Sequence, residues 1–480
     1  MRPFAHLPRP SILAALPRPS ILAALPRPSI LAAVAALAAL ALSAPAAAHS
    51  GAIRTATQET LAVPTWLFLL TGGGVIGASF LLASFVTDRS FVRYLHEWGH
   101  TAPSPTRALR ALLRIGGVAG LAAVFGFGFF GPAEPFRNPA VLLVWVGWWG
   151  GYVATTYLVG NTWPALNPFR TIADLLPSLG VAYPDRLGAW PAVIGLLALV
   201  WVEVVTPLAD RPRLLATVVL AYSVATVGGA VVFGADRWFG QVDPVSRTVR
   251  LYGRVAPFER TDDGIRLRLP GAALRDVRLD GPDEVAFVVA VLFVTTYDGF
   301  VGTGLWGAVA RAVAGVGVPP HLVYVVAYLG GFALFYGAYR RSARAARRYG
   351  DTYLSAAFLS RRFAPSLLAI AAGYHLAHNL GSFLTLLPTF VVVLGAPLSP
   401  PQNPPVLAGL PEAFVGAELA FVLLGHLLAV WVAHATSYDL FPDRLLAIRS
   451  QYGVTLVMVA FTMISMWVVS EPYAAPPFLS

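Results

Sequence analysis

Residues 321–348 read HLVYVVAYLGGFALFYGAYRRSARAARR. The part 321–339 is apolar over a length that suits a bilayer, whose hydrocarbon core takes a helix of ~20 residues. It runs into a segment, 340–362, that holds seven arginines. Basic residues collect in short loops on the cytoplasmic side of a membrane. This one junction therefore implies both a membrane span and its direction.

The same alternation recurs in both directions. Apolar stretches fall at 62–86, 112–131, 140–159, 189–208, 214–235, 284–310, 321–339, 363–392, 414–435 and 451–470. All thirty-four positive side chains are arginine. Twenty-four lie in five alternate segments, 87–111, 160–188, 236–283, 340–362 and 436–450. Five lie in the segments between: Arg54, Arg137, Arg211, Arg213 and Arg311. The pattern predicts an all-α polytopic protein of the cell membrane. It has about ten transmembrane helices in one domain, 49–480, and both mature termini are extracytoplasmic.

Composition agrees. The chain is 57% hydrophobic and 12% charged, against about 25% charged in soluble chains. The net charge of +10 is spread over short loops and not gathered in a basic domain. It predicts contact with anionic lipid and no nucleic-acid partner. Cysteine is absent, which excludes disulfides, thiolate metal sites, cysteine nucleophiles and iron–sulfur clusters.

Residues 7–33 are three identical copies of LPRPSILAA. Their prolines interrupt any helix, and no repeat fold has so short a helical unit. They place Arg9, Arg18 and Arg27 ahead of the apolar run Ile30–Leu42 and the small-residue stretch Ser43-Ala44-Pro45-Ala46-Ala47-Ala48. That order predicts a secretory signal peptide, 1–48, cleaved after Ala48; a retained signal anchor is the alternative. Cleavage would leave His49 as the first residue, with an amino and an imidazole nitrogen able to chelate copper.

The segment 236–283 is the one sizeable piece outside the apolar stretches. Ser246–Gly253 and Gly264–Pro270 alternate apolar and basic residues with period two, as half-buried strands do. They predict a small β-like hairpin on the cytoplasmic surface. Asn161-Thr162-Trp163-Pro164-Ala165-Leu166-Asn167-Pro168-Phe169-Arg170 predicts a tight turn on the same side. Gly72-Gly73-Gly74 predicts close helix packing. Trp145, Trp148, Trp149, Tyr152 and Tyr157 read as an interfacial aromatic belt.

Ionisable groups inside spans are costly, so each is a candidate functional residue. Asp298, His375, His378 and His426 fall near the middle of three predicted spans. Glu203, Glu418 and His434 fall nearer the ends. His375 and His378 share one helix face. Two or three imidazoles and a carboxylate suit zinc, iron or copper, and imidazoles on facing helices suit haem. The same residues also fit a proton or substrate pathway. They fit equally well a purely structural role, with histidines bonded to helix carbonyls and one paired with Asp298. No P-loop and no G-x-S-x-G is present.

Several short stretches resemble the bacterial polytopic membrane proteins called fenitrothion hydrolase. They are His49-Ser50-Gly51, Val63-Pro64-Thr65-Trp66-Leu67-Phe68, Asn167-Pro168-Phe169-Arg170 and Tyr183-Pro184-Asp185-Arg186-Leu187-Gly188 with Trp190-Pro191. Tyr297-Asp298-Gly299-Phe300 and Leu440-Phe441-Pro442-Asp443-Arg444 with Arg449-Ser450-Gln451-Tyr452 follow in the same order. The resemblance implies a membrane-bound organophosphate hydrolase acting on a dialkyl aryl phosphorothioate. It transfers no catalytic residues, and the repeat-bearing amino terminus is unlike the family. Three functions therefore stand open: a metal-dependent hydrolase of apolar esters, an ion- or proton-coupled permease for a small apolar molecule or ion, and a copper- or haem-binding protein.

Overall fold

Apolar stretches fold as helices because backbone N–H and C=O groups in hydrocarbon must be satisfied within the segment. The computed structural model describes residues 65–103, 107–407, 409–411 and 413–479. The expected signal peptide 1–48, its repeats and the copper-chelating His49 lie outside the described residues. In chain order the helices are α1 (Thr65–Phe85), α2 (Arg89–Glu97), α3 (Arg107–Phe130), α4 (Pro139–Leu158) and α5 (Trp190–Val205). Then come α6 (Pro212–Phe233), α7 (Pro244–Tyr252), α8 (Pro282–Val301), α9 (Gly304–Gly315) and α10 (Pro320–Tyr349). The last are α11 (Leu367–Gly395), α12 (Ala413–Leu440) and α13 (Tyr452–Ser470).

Among the described residues eight helices are long and apolar enough to cross a membrane, and the chain is a multi-pass membrane protein. A ninth span is counted if α1 and α2, bent by 111°, are taken together. Helix α5 is apolar but has only 16 residues. At about 1.5 Å per residue it reaches ~24 Å, short of a ~30 Å hydrocarbon core.

The arginine-rich segments meet one another. Strand β1 (Gly99–Ala102) pairs antiparallel with β3 (Gly264–Arg268), which also pairs with β2 (Phe258–Thr261), in the order β1-β3-β2. Arg275 holds Asp439 with two hydrogen bonds of 2.8 and 2.7 Å. Arg89 donates to the carbonyls of Tyr438, Phe441 and Pro442, and Arg170 pairs with Asp236. The arginine-poor segments meet separately. Arg137 donates to the Pro401 carbonyl at 3.0 Å, and the Ala474 N–H donates to the Gly302 carbonyl at 2.7 Å.

Two expectations are corrected. The hairpin forms at 258–268, but 246–252 is helical and belongs to α7. Asp243 accepts from the Ser246 N–H and Pro244 occupies the first turn, which together start a helix. Period two fails because basic Arg247 is buried too, bonded to Glu284 at 2.5 Å. The sixth span is also broken. Helix α8 stops at Val301, and Thr303 caps α9 by accepting from the Trp306 N–H. Asp298 therefore sits near the end of its helix, away from mid-span.

Helix α8 is the centre of the bundle: Val285 through Tyr297 are all buried. Apolar burial gives little drive between helices in lipid, so close approach at small residues carries the packing. A Cβ on Gly373 of α11 would sit 2.6 Å from the Phe421 carbonyl of α12, and one on Gly425 of α12 2.6 Å from the Ala369 carbonyl. A Cβ on Gly72 or Gly73 of α1 would sit 2.9 Å from Met466 or 3.2 Å from Met463 of α13, a close packing their run predicts; one on Gly74 would meet nothing within 4 Å among the described residues.

Candidate intramembrane site

Helix α4 is wound as a π-helix over Leu143–Tyr152. Such turns are rare and often mark functional positions. Its glycines let it lie on α11: Cβ atoms at Gly147 and Gly151 would sit 2.9 and 2.8 Å from the rings of Phe390 and Phe383. With the glycines against α11, the indoles of Trp145, Trp148 and Trp149 and the ring of Tyr152 line a cavity of about 500 Å³. This overturns the belt reading for these four residues.

The turn 161–173 forms the floor beside it. Asn161 and Asn167 accept from the N–H groups of Trp163 and Arg170, which start two short helical pieces. The Ser246 hydroxyl of α7 accepts from both Trp163 Nε1 (3.0 Å) and Asn167 Nδ2 (3.1 Å). The stretch expected as a tight turn folds as the short helices Trp163–Leu166 and Pro168–Ala173, and Leu166, Pro168 and Phe169 reach the cavity wall.

Polar groups enter the wall from three helices. Glu203 comes from α5, Asp298 from α8, and His375, His378 and Asn379 from α11. His378 Nε2 lies 3.3 Å from Asp298 Oδ2. The ring of Tyr374 stacks on His378 at 5.7 Å between centroids. His375, one turn away, is fully buried and meets Tyr157 instead, with Nδ1 2.9 Å from the phenol oxygen. Trp149 packs edge-on against His375 at 4.7 Å. A Tyr157 hydroxyl donating to Nδ1 leaves the imidazole proton on Nε2, which has no protein hydrogen-bond partner among the described residues. Thr248 Oγ1 and the indole N–H groups of Trp145 and Trp148, on residues of the same wall, also lack a protein partner there.

The structure thus brings together Asp298, His375 and His378 from the expected constellation. His426 does not join them. It is fully buried, its Nδ1 bonds the Val422 carbonyl of its own helix at 2.8 Å, and it is absent from the cavity wall. Among the described residues no three His, Asp or Glu side chains converge as a metal site. His434 bonds the Val86 carbonyl at the end of α1, at 3.0 Å. Glu203, which the sequence places nearer a helix end, lines the cavity from α5.

No family model, no curated protein and no solved structure matches this chain.

Proposed function

We propose that this multi-pass membrane protein binds a small, largely apolar molecule in the cavity between α4, α8 and α11. It exchanges a proton with that molecule at the Asp298–His378 pair, as a proton-coupled permease does. One observation carries the reading: a carboxylate and an imidazole lie 3.3 Å apart on the wall of a cavity of about 500 Å³ whose other walls are largely apolar and aromatic. Ligand pockets run to about 300–1,000 Å³ and have this mixture of apolar wall and few polar groups. Ionisable side chains within membrane segments are rare, face the bundle interior or a cavity, and usually serve transport or proton transfer. The arginine-rich face lies in the cytoplasm and the carboxy terminus outside, by the distribution of basic residues.

Full-length protein in weakly buffered detergent tests this. One-ring apolar amines and weak acids are added while indole fluorescence and bulk pH are followed. Ligand binding should quench fluorescence and change the bound proton count. Asp298→Asn should bind without the proton change. Binding with no proton change in the unaltered protein overturns the coupling, and no response to any of the series overturns the ligand site.

A second reading is hydrolysis of an apolar phosphorothioate ester, which the resemblance to fenitrothion hydrolase supports. Its specific observation is that Asp298 orients His378, the arrangement a general base needs. Release of nitrophenolate from a dialkyl nitrophenyl phosphorothioate, lost in His378→Ala, would favour this reading over the permease.

A further inference from the structure

His378 borders two hollows. On one side is the large cavity; on the other is a small pocket of about 80 Å³ that Ser382, Glu418, Glu471 and Tyr473 line with it. The small pocket has room for a few waters, since one needs about 10–15 Å³. It lies where α8 breaks: Gly299 and Gly302 form part of its wall, and the carboxy-terminal segment is fastened over it by Ala474 N–H donating to the Gly302 carbonyl at 2.7 Å. Glu418 reaches in from α12 because α11 carries a glycine there. A Cβ on Gly381 would meet Glu418 Oε1 at 2.9 Å. Gly381 is three residues beyond His378 on the same face of α11, and Glu418 and His378 line the same small pocket. Glu471 accepts from Trp467 Nε1 at 2.9 Å and stands at the end of α13.

We propose that Glu471, Glu418 and His378 form a proton route from solution on the carboxy-terminal face to Asp298, with His378 as the gate between the two hollows. This rests on the reading of Asp298–His378 as the proton-exchanging pair. A proton reaches the His378 ring nitrogen other than Nε2 from pocket water, making imidazolium. The Nε2 proton then passes to Asp298 Oδ2, 3.3 Å away. The ring is left neutral with its proton on the other nitrogen; pocket water takes that proton while the same water chain returns one to Nε2, which resets the ring with no net proton gained or lost in that step. The other titratable groups facing His378 are Tyr374 and His375 of its own helix, Tyr473 of the carboxy-terminal segment and Glu203 across the cavity.

Time-resolved infrared spectroscopy after a pH jump, on full-length protein, tests the route. The carboxylic acid band that Asp298→Asn removes reports on Asp298. Glu418→Gln and Glu471→Gln should each slow that band about a hundredfold, the low end of what a positioned acid–base group contributes, and leave its final amplitude unchanged. The chain has no cysteine, so Ser382→Cys adds a single thiol to the pocket. It should react with a charged, membrane-impermeant thiosulfonate. Unchanged rates in both Gln variants, or an unreactive Ser382→Cys, overturn the route while the proton-exchanging pair stands. An Asp298 band that never responds to pH overturns both.

Discussion

His378 holds Asp298 at 3.3 Å across the α11–α8 contact, while His375, three residues earlier, turns to Tyr157 at 2.9 Å. The two imidazoles of one helix face therefore belong to different elements. His375 ties α11 to α4, and His378 ties it to the end of α8. Both ties border the cavity, so the groups that brace its walls are also those that can exchange protons with its contents.

The Asp298–His378 tie should show as coupling. Asp298→Asn and His378→Gln each remove one partner, and the double variant should cost less than the sum by about 0.5–3 kcal/mol, as for groups in direct contact. Denaturant unfolding in detergent measures it. Strict additivity would falsify the contact.

Metal content separates the buried histidines. A zinc, iron or copper ion at the cavity wall would meet His378 and Asp298, whereas His426 is not on that wall. Elemental analysis should find metal reduced to background in His378→Ala and unchanged in His426→Ala. His426→Ala should lower thermal stability instead, because it removes a fully buried side chain at the α12 crossing. Metal lost equally in both variants would return His426 to the site, and a Soret band would identify haem.

Much of this architecture is legible from the chain because a bilayer imposes simple rules. Length and apolarity mark the spans, and Gly72 and Gly73 mark the α1–α13 contact. The site is less legible because its causes are not periodic. Thr303 breaks the sixth span with a cap that an apolar count does not register, which moves Asp298 from mid-helix to helix end. The π-helical winding of α4 turns three indoles from a presumed belt into a cavity wall. Only the glycines among those indoles, Gly147, Gly150 and Gly151, hint at it. His426 shares a depth with the other candidates, but depth does not set the direction in which a side chain points.

The proposed orientation rests on the arginines. A reporter active only in the cytoplasm should work when fused after Ala345, in the arginine-rich end of α10, and stay silent when fused after Ser480. Activity at Ser480 with silence at Ala345 would reverse the topology and place the Glu418–Glu471 pocket on the cytoplasmic side.

The sheet on the arginine-rich face should be acid-sensitive through Asp276. Arg268 approaches its Oδ2 at 2.8 Å and His96 Nε2 its Oδ1 at 3.1 Å. Burial pushes this carboxyl up, but the hydrogen bonds from His96 and Arg268 outweigh it and hold the group well below its usual value of 3.8. A carboxyl depressed in the folded state stabilises fully above its unfolded value, and the stabilisation fades as pH falls through the folded value. Asp276→Asn should therefore melt at a lower temperature than the unaltered protein at pH 7. The gap should persist down to about pH 4 and shrink below it. Thermal unfolding in detergent across that range measures the gap. A gap of constant size at pH 3 would show that Asp276 acts through packing and not through charge.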